Sequence, residues 1–298
     1  SFSADWGGHL LFKGSISFPE NNSQLDLLHH DRLHDGAVEF RLKNHVGFND
    51  WLNFDCHYEL IGIDGETRKT RQTFLKQYPN ASGSFFMPGA VSDDHRVMDL
   101  THIISSDTDS LLYHRVDRLA VSAVADWGSV TVGRQALTWG NGFLFNPMDL
   151  FNPFSPTDVE RDYKIGDDMI TTHVYTGNSG ELQVLYVPRR NTENQDIEWD
   201  QSSVAAQYHL NIRAMDIDLM AGKHYEDDVA GIGFTGYLMD AAWRLDTTYT
   251  WLDAGSDQSG FQVLWQIWII HGSGGTRICM DGLNIIIPVW GKMMFKKH

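Results

Sequence analysis

Residues 51–60 read Trp51-Leu52-Asn53-Phe54-Asp55-Cys56-His57-Tyr58-Glu59-Leu60. In an extended chain, successive side chains point to opposite faces. Leu52, Phe54, Cys56, Tyr58 and Leu60 therefore share one face, and Asn53, Asp55, His57 and Glu59 share the other. The pattern is present upstream, where Val38, Phe40 and Leu42 alternate with Glu39, Arg41 and Lys43. It returns at 204–212, with Val204, Ala206, Tyr208, Leu210 and Ile212 against Gln207, His209 and Asn211. It returns again at 243–251, with Trp243, Leu245, Thr247, Tyr249 and Trp251 against Arg244, Asp246, Thr248 and Thr250.

Working outward, the pattern predicts about eleven strands, near 5–18, 36–46, 50–62, 111–125, 129–139, 166–176, 181–189, 202–213, 215–225, 229–238 and 241–252. Most are joined by breaks of hairpin size. No amphipathic helix of useful length is expected. Three longer polar stretches interrupt the meander, at about 19–35, 64–110 and 140–165. The segments approach the roughly 9–11 residues that a tilted strand needs to cross a bilayer, whereas soluble strands peak near five or six. Tyr58, Trp243 and Trp251 sit near segment ends on the apolar face, where interfacial rings belong. A membrane sheet must close on itself, since an open edge in lipid leaves backbone groups unpaired. The expected fold is all-β, an antiparallel up-and-down transmembrane β-barrel of about eleven or more strands spanning residues 1–261. The alternative is a soluble all-β domain that binds or hydrolyses carbohydrate, in which the same apolar face forms the core.

Composition narrows the function. The 298 residues carry 23 Lys+Arg against 39 Asp+Glu, a formal net charge of −16, which argues against a nucleic-acid partner. No apolar run of about 18 residues exists, so no transmembrane helix is expected. Two cysteines, Cys56 and Cys279, exclude a disulfide framework and a cysteine zinc cluster. No signal peptide opens the chain, and Ser1 reads as a mature start or an internal fragment.

Residues 133–154 run from Gly133-Arg134-Gln135 through Trp139-Gly140 to Asn146-Pro147 and Asn152-Pro153. This stretch resembles a strand-to-loop motif of porin-like outer-membrane β-barrel proteins of Gram-negative bacteria. The resemblance covers about 36–253 in architecture and is specific only at about 115–190. It implies location in the cell outer membrane and a channel, with lipid around the barrel and small solutes or ions passing through it. It carries over no catalytic residue and no substrate.

On the barrel reading, the polar face lines a lumen. Glu39, Arg41, Lys43, Asp55, His57, Glu59, Arg118, Gln207, His209, Arg244 and Asp246 are the pore-lining candidates, a set balanced between cations and anions. The 140–165 stretch supplies constriction candidates in Asp149, Asp158, Glu160, Arg161 and Asp162, since charged groups at a narrowing select ions. Phe143, Phe145, Phe151 and Phe154 make it too apolar for a solvated loop. Two placements stay open: folded into the lumen, or an ordered external lid. Asp167-Asp168 and Asp227-Asp228 read as solvated strand ends. Neither the loop acids nor the His29-His30-His34 group has a recognised metal spacing, and no Gly-x-Ser-x-Gly occurs. His173, His209 or His224 could pair with a nearby serine, but sequence does not bring them together. No metal, cofactor or catalysis is expected, and the oligomeric state is left open.

The last stretch, 262–298, departs from this order. Its apolar residues cluster without period, Pro288 interrupts the final run, and its end is basic where the body is acidic. It is either a native hydrophobic tail or the product of a frameshift, which would leave the barrel incomplete at its C-terminus. Back-translation one nucleotide upstream forces Gln266 to Ala, Ile269 to Asp and Asp281 to Gly. With permitted codon choices, it yields L-A-N-L-D-Y-S-W-V-W and M-Y-G-R-T-E-Y-Y-Y joined by G-D-T-N, two alternating strands around a turn. As written, the tail is expected to pack irregularly.

Overall fold

A computed structural model describes residues 2–18, 32–77, 91–140, 146–151, 163–177, 180–238, 241–252, 260–273 and 277–287. The chain forms two compact units. Unit 1 comprises Ser1–Asp94, Met98–Val121 and Thr157–Tyr163; unit 2 comprises His95–Val97, Ser122–Pro156 and Lys164–His298.

Unit 1 contains β1 (Ser3–Ser17), β2 (Leu33–Gly47), β3 (Leu52–Gly65), α1 (Glu66–Gln77), β4 (Thr101–Ser106) and most of β5 (Ser110–Ala125). β1 pairs β2 and β2 pairs β3, antiparallel and without a register break. β3 neighbours β5, and β4 pairs β5 with an irregularity between Ile103 and Ser105. The four-residue link between β2 and β3 is closed by Asn49, whose side-chain oxygen accepts from the Leu52 amide at 2.8 Å and the Trp51 amide at 3.1 Å.

Unit 2 continues with β6 (Gly128–Gln135), β7 (Asp167–Tyr175), β8 (Gly180–Val187), β9 (Ser203–Ile212), β10 (Met215–His224), β11 (Asp227–Leu238), β12 (Ala241–Leu252), β13 (Gly260–Ser273) and β14 (Arg277–Ile287). Each pairs antiparallel with the next. Arg213 and Tyr225 adopt left-handed φ values of 61° and 56° in the two-residue links of β9–β10 and β10–β11, as tight hairpins require. Gly128 opens β6 at φ 152°, where a Cβ would lie 1.9 Å from the His173 carbonyl oxygen. Only glycine permits that approach.

Links of two to four residues join β2–β3, β5–β6, β7–β8, β9–β10, β11–β12 and β13–β14. Strands alternate in direction, so within each unit these links share one end of the sheet. The longer connections lie at the other end, together with the three-residue β4–β5 link and the two-residue β10–β11 link. In unit 1 the short-link end exposes Trp6, Phe48 and Trp51; in unit 2 it exposes Trp127, Tyr175 and Tyr237. Rings gathered at strand ends match an interfacial girdle.

Burial is inverted relative to a soluble sheet. On β2, Val38 and Phe40 are each 42% exposed, whereas Glu39 and Arg41 beside them are 6% and 3% exposed. On β10, Leu219 is exposed while Asp218 and Met220 are buried. On these strands the apolar face is the exposed one, while the buried face of β7–β11 also carries apolar side chains. Such an exposed surface is stable where the surroundings are themselves apolar.

All eleven expected strands are present, with ends shifted by a few residues. Three more are added. β4 is short and lacks alternation. β13 and β14 run through the stretch expected to be irregular; their backbones continue the pairing from β12 without a break. Residues 288–298 lie outside the described residues. The helix α1 is short and not amphipathic, so it lies outside what apolar periodicity could signal. Its sequence has no apolar stripe, and partners at its first turn hold it in place. Asp35 accepts from the Thr67 amide at 2.9 Å and its hydroxyl at 2.6 Å, an N-terminal cap supplied from β2. Arg68 donates to the Ser110 carbonyl at 3.0 Å and the Asp107 carbonyl at 3.1 Å.

Candidate functional site: the polar face

In unit 1 the polar face of β2, β3 and β5 carries a connected row of charges. Cross-strand register sets Arg41 opposite Glu59, and Lys43 opposite His57. Arg41 reaches Glu59 at 3.0 Å and Asp117 at 2.7 Å, and donates to His57 Nδ1 at 3.2 Å. Arg115 donates to the other Glu59 oxygen at 2.5 Å. Arg118 contacts the Asp117 carboxylate at 2.5 Å. Glu59 and Asp117 are wholly buried, and guanidinium groups are their partners. Tyr163 covers the row. Its hydroxyl donates to Glu39 at 2.7 Å, and its ring lies 3.5 Å from the Arg41 guanidinium carbon. Burial, the nearby Glu59 charge and the bond to Glu39 all push the Tyr163 phenol above its usual pKa, outweighing Arg41.

In unit 2 the segment 146–151 lies on the buried face of β7–β11. Met148 and Phe151 join Trp139, Met169, Leu185, Val187, Ala205, Met220 and Val229 in one apolar cluster. Phe151 meets His224 edge to face at 5.3 Å. Asn146 donates to the Trp139 carbonyl at 2.6 Å. Lys164 pairs with Asp149 and also donates to the Leu137 carbonyl at 2.8 Å. Burial lowers the Lys164 pKa, and Asp149 opposes that shift.

Nearby, Arg134 grips Asp168 through Nε at 2.8 Å and Nη2 at 3.2 Å. Arg189 grips Asp167 at 2.8 Å, and Arg96 approaches it at 3.5 Å. Burial disfavours the Arg189 charge, but Asp167, Tyr225 and Asp168 together outweigh it and raise the guanidinium pKa. Asp167 and Asp168 are each 3% exposed, which corrects their reading as solvated strand ends. Arginine partners far away in sequence explain the difference.

Toward the short-link end of unit 2, imidazoles and carboxylates alternate. His173 Nδ1 lies 2.6 Å from Glu181, and His209 Nδ1 lies 2.8 Å from Asp218. Glu181 is the cross-strand partner of His209, and His209 that of Asp218, so the four form one row. Ser203 Oγ lies 3.0 Å from His224 Nδ1, but the hydroxyl is buried at the foot of the β10–β11 turn.

The structure therefore places the sequence candidates as follows. Glu39, Arg41, Glu59 and Arg118 share the buried network of unit 1. His57 borders it, while Lys43 is exposed and Asp55 pairs with His45 at 2.8 Å. Gln207 and Asp246 are buried on the polar face of unit 2, Arg244 is half-buried and His209 is more open. Asp149 is tied to Lys164. Asp158, Glu160, Arg161 and Asp162 lie outside the described residues. Sequence reading missed Arg115, Asp117, Arg134, Tyr163 and Arg189. Arg115 and Asp117 share a face by simple alternation with Tyr113, and that signal was present. Among the described residues, no group of three metal-ligating side chains converges.

The sheet has the strand order of an up-and-down antiparallel β-barrel. No protein-family model and no curated sequence matches the chain. Among solved structures, it is similar to OccAB1 of Acinetobacter baumannii, with a TM-score of 0.53 and 10% identity over 91% of this chain and 62% of that one. It is also similar to OccAB3 of the same organism, with a TM-score of 0.50 and 11% identity over 91% of this chain and 63% of that one. The chain thus spans somewhat less than two thirds of the length of each of these proteins.

Proposed function

We propose that the chain is an outer-membrane barrel that passes small solutes or ions by passive diffusion, with no catalytic step. The observation that carries this reading is the inversion of burial. Exposed Val38, Phe40, Leu42, Val132, Ile170 and Leu219 suit a lipid surround, while the inward face holds arginines, carboxylates and histidines suited to a hydrated lumen. The seat of 146–151 on the inward side of unit 2 favours the lumen placement of the 140–165 stretch over the lid. On this reading, Asp149 is a fixed counter-charge to Lys164, and the wall of unit 1 is electrically balanced.

Fractionation tests the reading. The protein is expected in the outer membrane, with heat-modifiable gel mobility and discrete conductance steps in planar bilayers. A monomer freely soluble without detergent would overturn it and favour the soluble all-β alternative.

A further inference from the structure

β4 stands off the main strand order and pairs with β5. Its register sets His102 directly opposite His114. Both belong to unit 1. Tyr113 and Arg115, the neighbours of His114 along β5, are buried on the inward face, while Leu112 shares the outward side with His114 and is exposed. His102 is exposed and His114 is half-buried. Their ring centroids are 5.6 Å apart, with the planes at 57°. On its other side, His114 meets the Tyr58 ring at 5.6 Å. Among the described residues, His114 Nδ1 is buried and has no hydrogen-bond partner. A buried nitrogen left in that condition is destabilising, and neither ring contact relieves it.

We propose that His102 and His114 together bind a divalent transition-metal ion of the nickel, copper and zinc group, which staples β4 to β5. This goes beyond the channel reading and does not depend on conduction.

Side chains directly opposite on antiparallel strands have Cβ atoms about 4.5–5.5 Å apart, so two such rings can turn toward one point. Metal–nitrogen bonds of about 2.0–2.1 Å at a tetrahedral ion place the centroids of two bound imidazoles roughly 5 Å apart. The pair is a small side-chain rotation from that arrangement. Imidazole suits nickel, copper and zinc, whereas calcium and magnesium prefer oxygen. No third ligand converges among the described residues, so water completes the coordination and binding is weaker than at a closed four-ligand site. Depth in the membrane allows this. His114 lies eleven residues from Ala125, the short-link end of β5. At a rise of about 3.3 Å per residue and a tilt of about 45°, that distance climbs roughly 25 Å, the height of the apolar band. The pair therefore sits at the far rim of the band, within reach of water and ions.

The test is calorimetric titration of the purified full chain, folded in detergent, with Zn²⁺ alone. Other histidines add a background, so the wild type is compared with variants. His102→Gln and His114→Gln are each expected to weaken the site about tenfold or more, because the second ring then no longer binds the same ion. The double substitution should add little to either single one, since the two rings share one ion. Hydrogen exchange supplies a second readout: Zn²⁺ should slow exchange of the β4 amides in the wild type and in neither variant. The wild-type comparison with and without Zn²⁺ needs no variant to fold, and absence of zinc-dependent protection in β4 overturns the inference by itself. Equal zinc binding by the wild type and both variants, or additive losses from the two histidines, also overturns it. Each of these results leaves the channel reading standing.

Discussion

Phe151 meets Trp139 edge to face, with ring centroids 5.3 Å apart, and this contact joins the 146–151 segment to the end of the chain that leaves β6. The two rings are 3% and 2% exposed, and Met148 beside them is fully buried. An apolar cluster on an otherwise polar face gives the segment one preferred seat. Polar anchors alone would leave water competing for each bond.

Phe151→Ala is therefore expected to unseat the segment, since removing a buried phenylalanine costs about 3–5 kcal/mol. Single-channel conductance should rise, and limited proteolysis should cut near 146–151. Unchanged conductance together with an unchanged cleavage pattern would sink the constriction assignment.

Facing is tested by two arginine substitutions on adjacent strands. Leu219→Arg places a charge at mid-strand on the apolar face, where it costs roughly 2–4 kcal/mol and should impair assembly. Asn211→Arg lies on the polar face at an exposed position and should assemble normally. Heat-modifiable mobility reads both. Equal damage from the two would refute the assigned faces.

Arg41→Met removes a partner of both Glu59 and Asp117, which are wholly buried. Stranding a buried charge costs about 3–5 kcal/mol. Lys43→Met, two residues away and exposed, should cost far less. Unfolding by urea in detergent compares them, and similar midpoints would show that the network contributes little.

Glu198 gives a pH dependence outside the strands. The Asn191 and Asn194 side-chain amides donate to its carboxylate at 2.8 Å and 2.6 Å, which lowers its pKa. A lowered carboxyl pKa stabilises the folded loop above the usual glutamate value of about 4.3, and the contribution fades as pH falls through the lowered value. Hydrogen exchange at the Gln195 amide, which donates to the Asn191 carbonyl, should lose protection there. Glu198→Gln should abolish that pH step; if it does not, another group is responsible.

For the C-terminal stretch, we propose that the underlying gene is frameshifted near Phe261. Codons for Asn284, Ile285 and Ile286 are then expected to end in T, giving the Y-Y-Y run. The restored frame puts its G-D-T-N turn at 275–278, close to the break between β13 and β14 at 274–276. Sequencing the DNA checks this, and codons ending otherwise would leave the tail native.

Alternation determined the strands, the hairpin order and the two faces, because side-chain period follows from local backbone geometry alone. Leu52 to Leu60 already told which residues share a face. Alternation left open which face is buried, since a soluble sheet and a membrane barrel share the pattern. Tertiary structure decided that, by burying Glu59 and Arg41 and leaving Phe40 outside. It also decided which charges meet. Arg134 and Asp168 are 34 residues apart, and Tyr163 and Glu39 are 124 apart. No local signal encodes such pairs, because they arise only when strands and the segments between them come together in space. The helix α1 needed the same information, since its cap comes from Asp35 on β2 rather than from its own sequence.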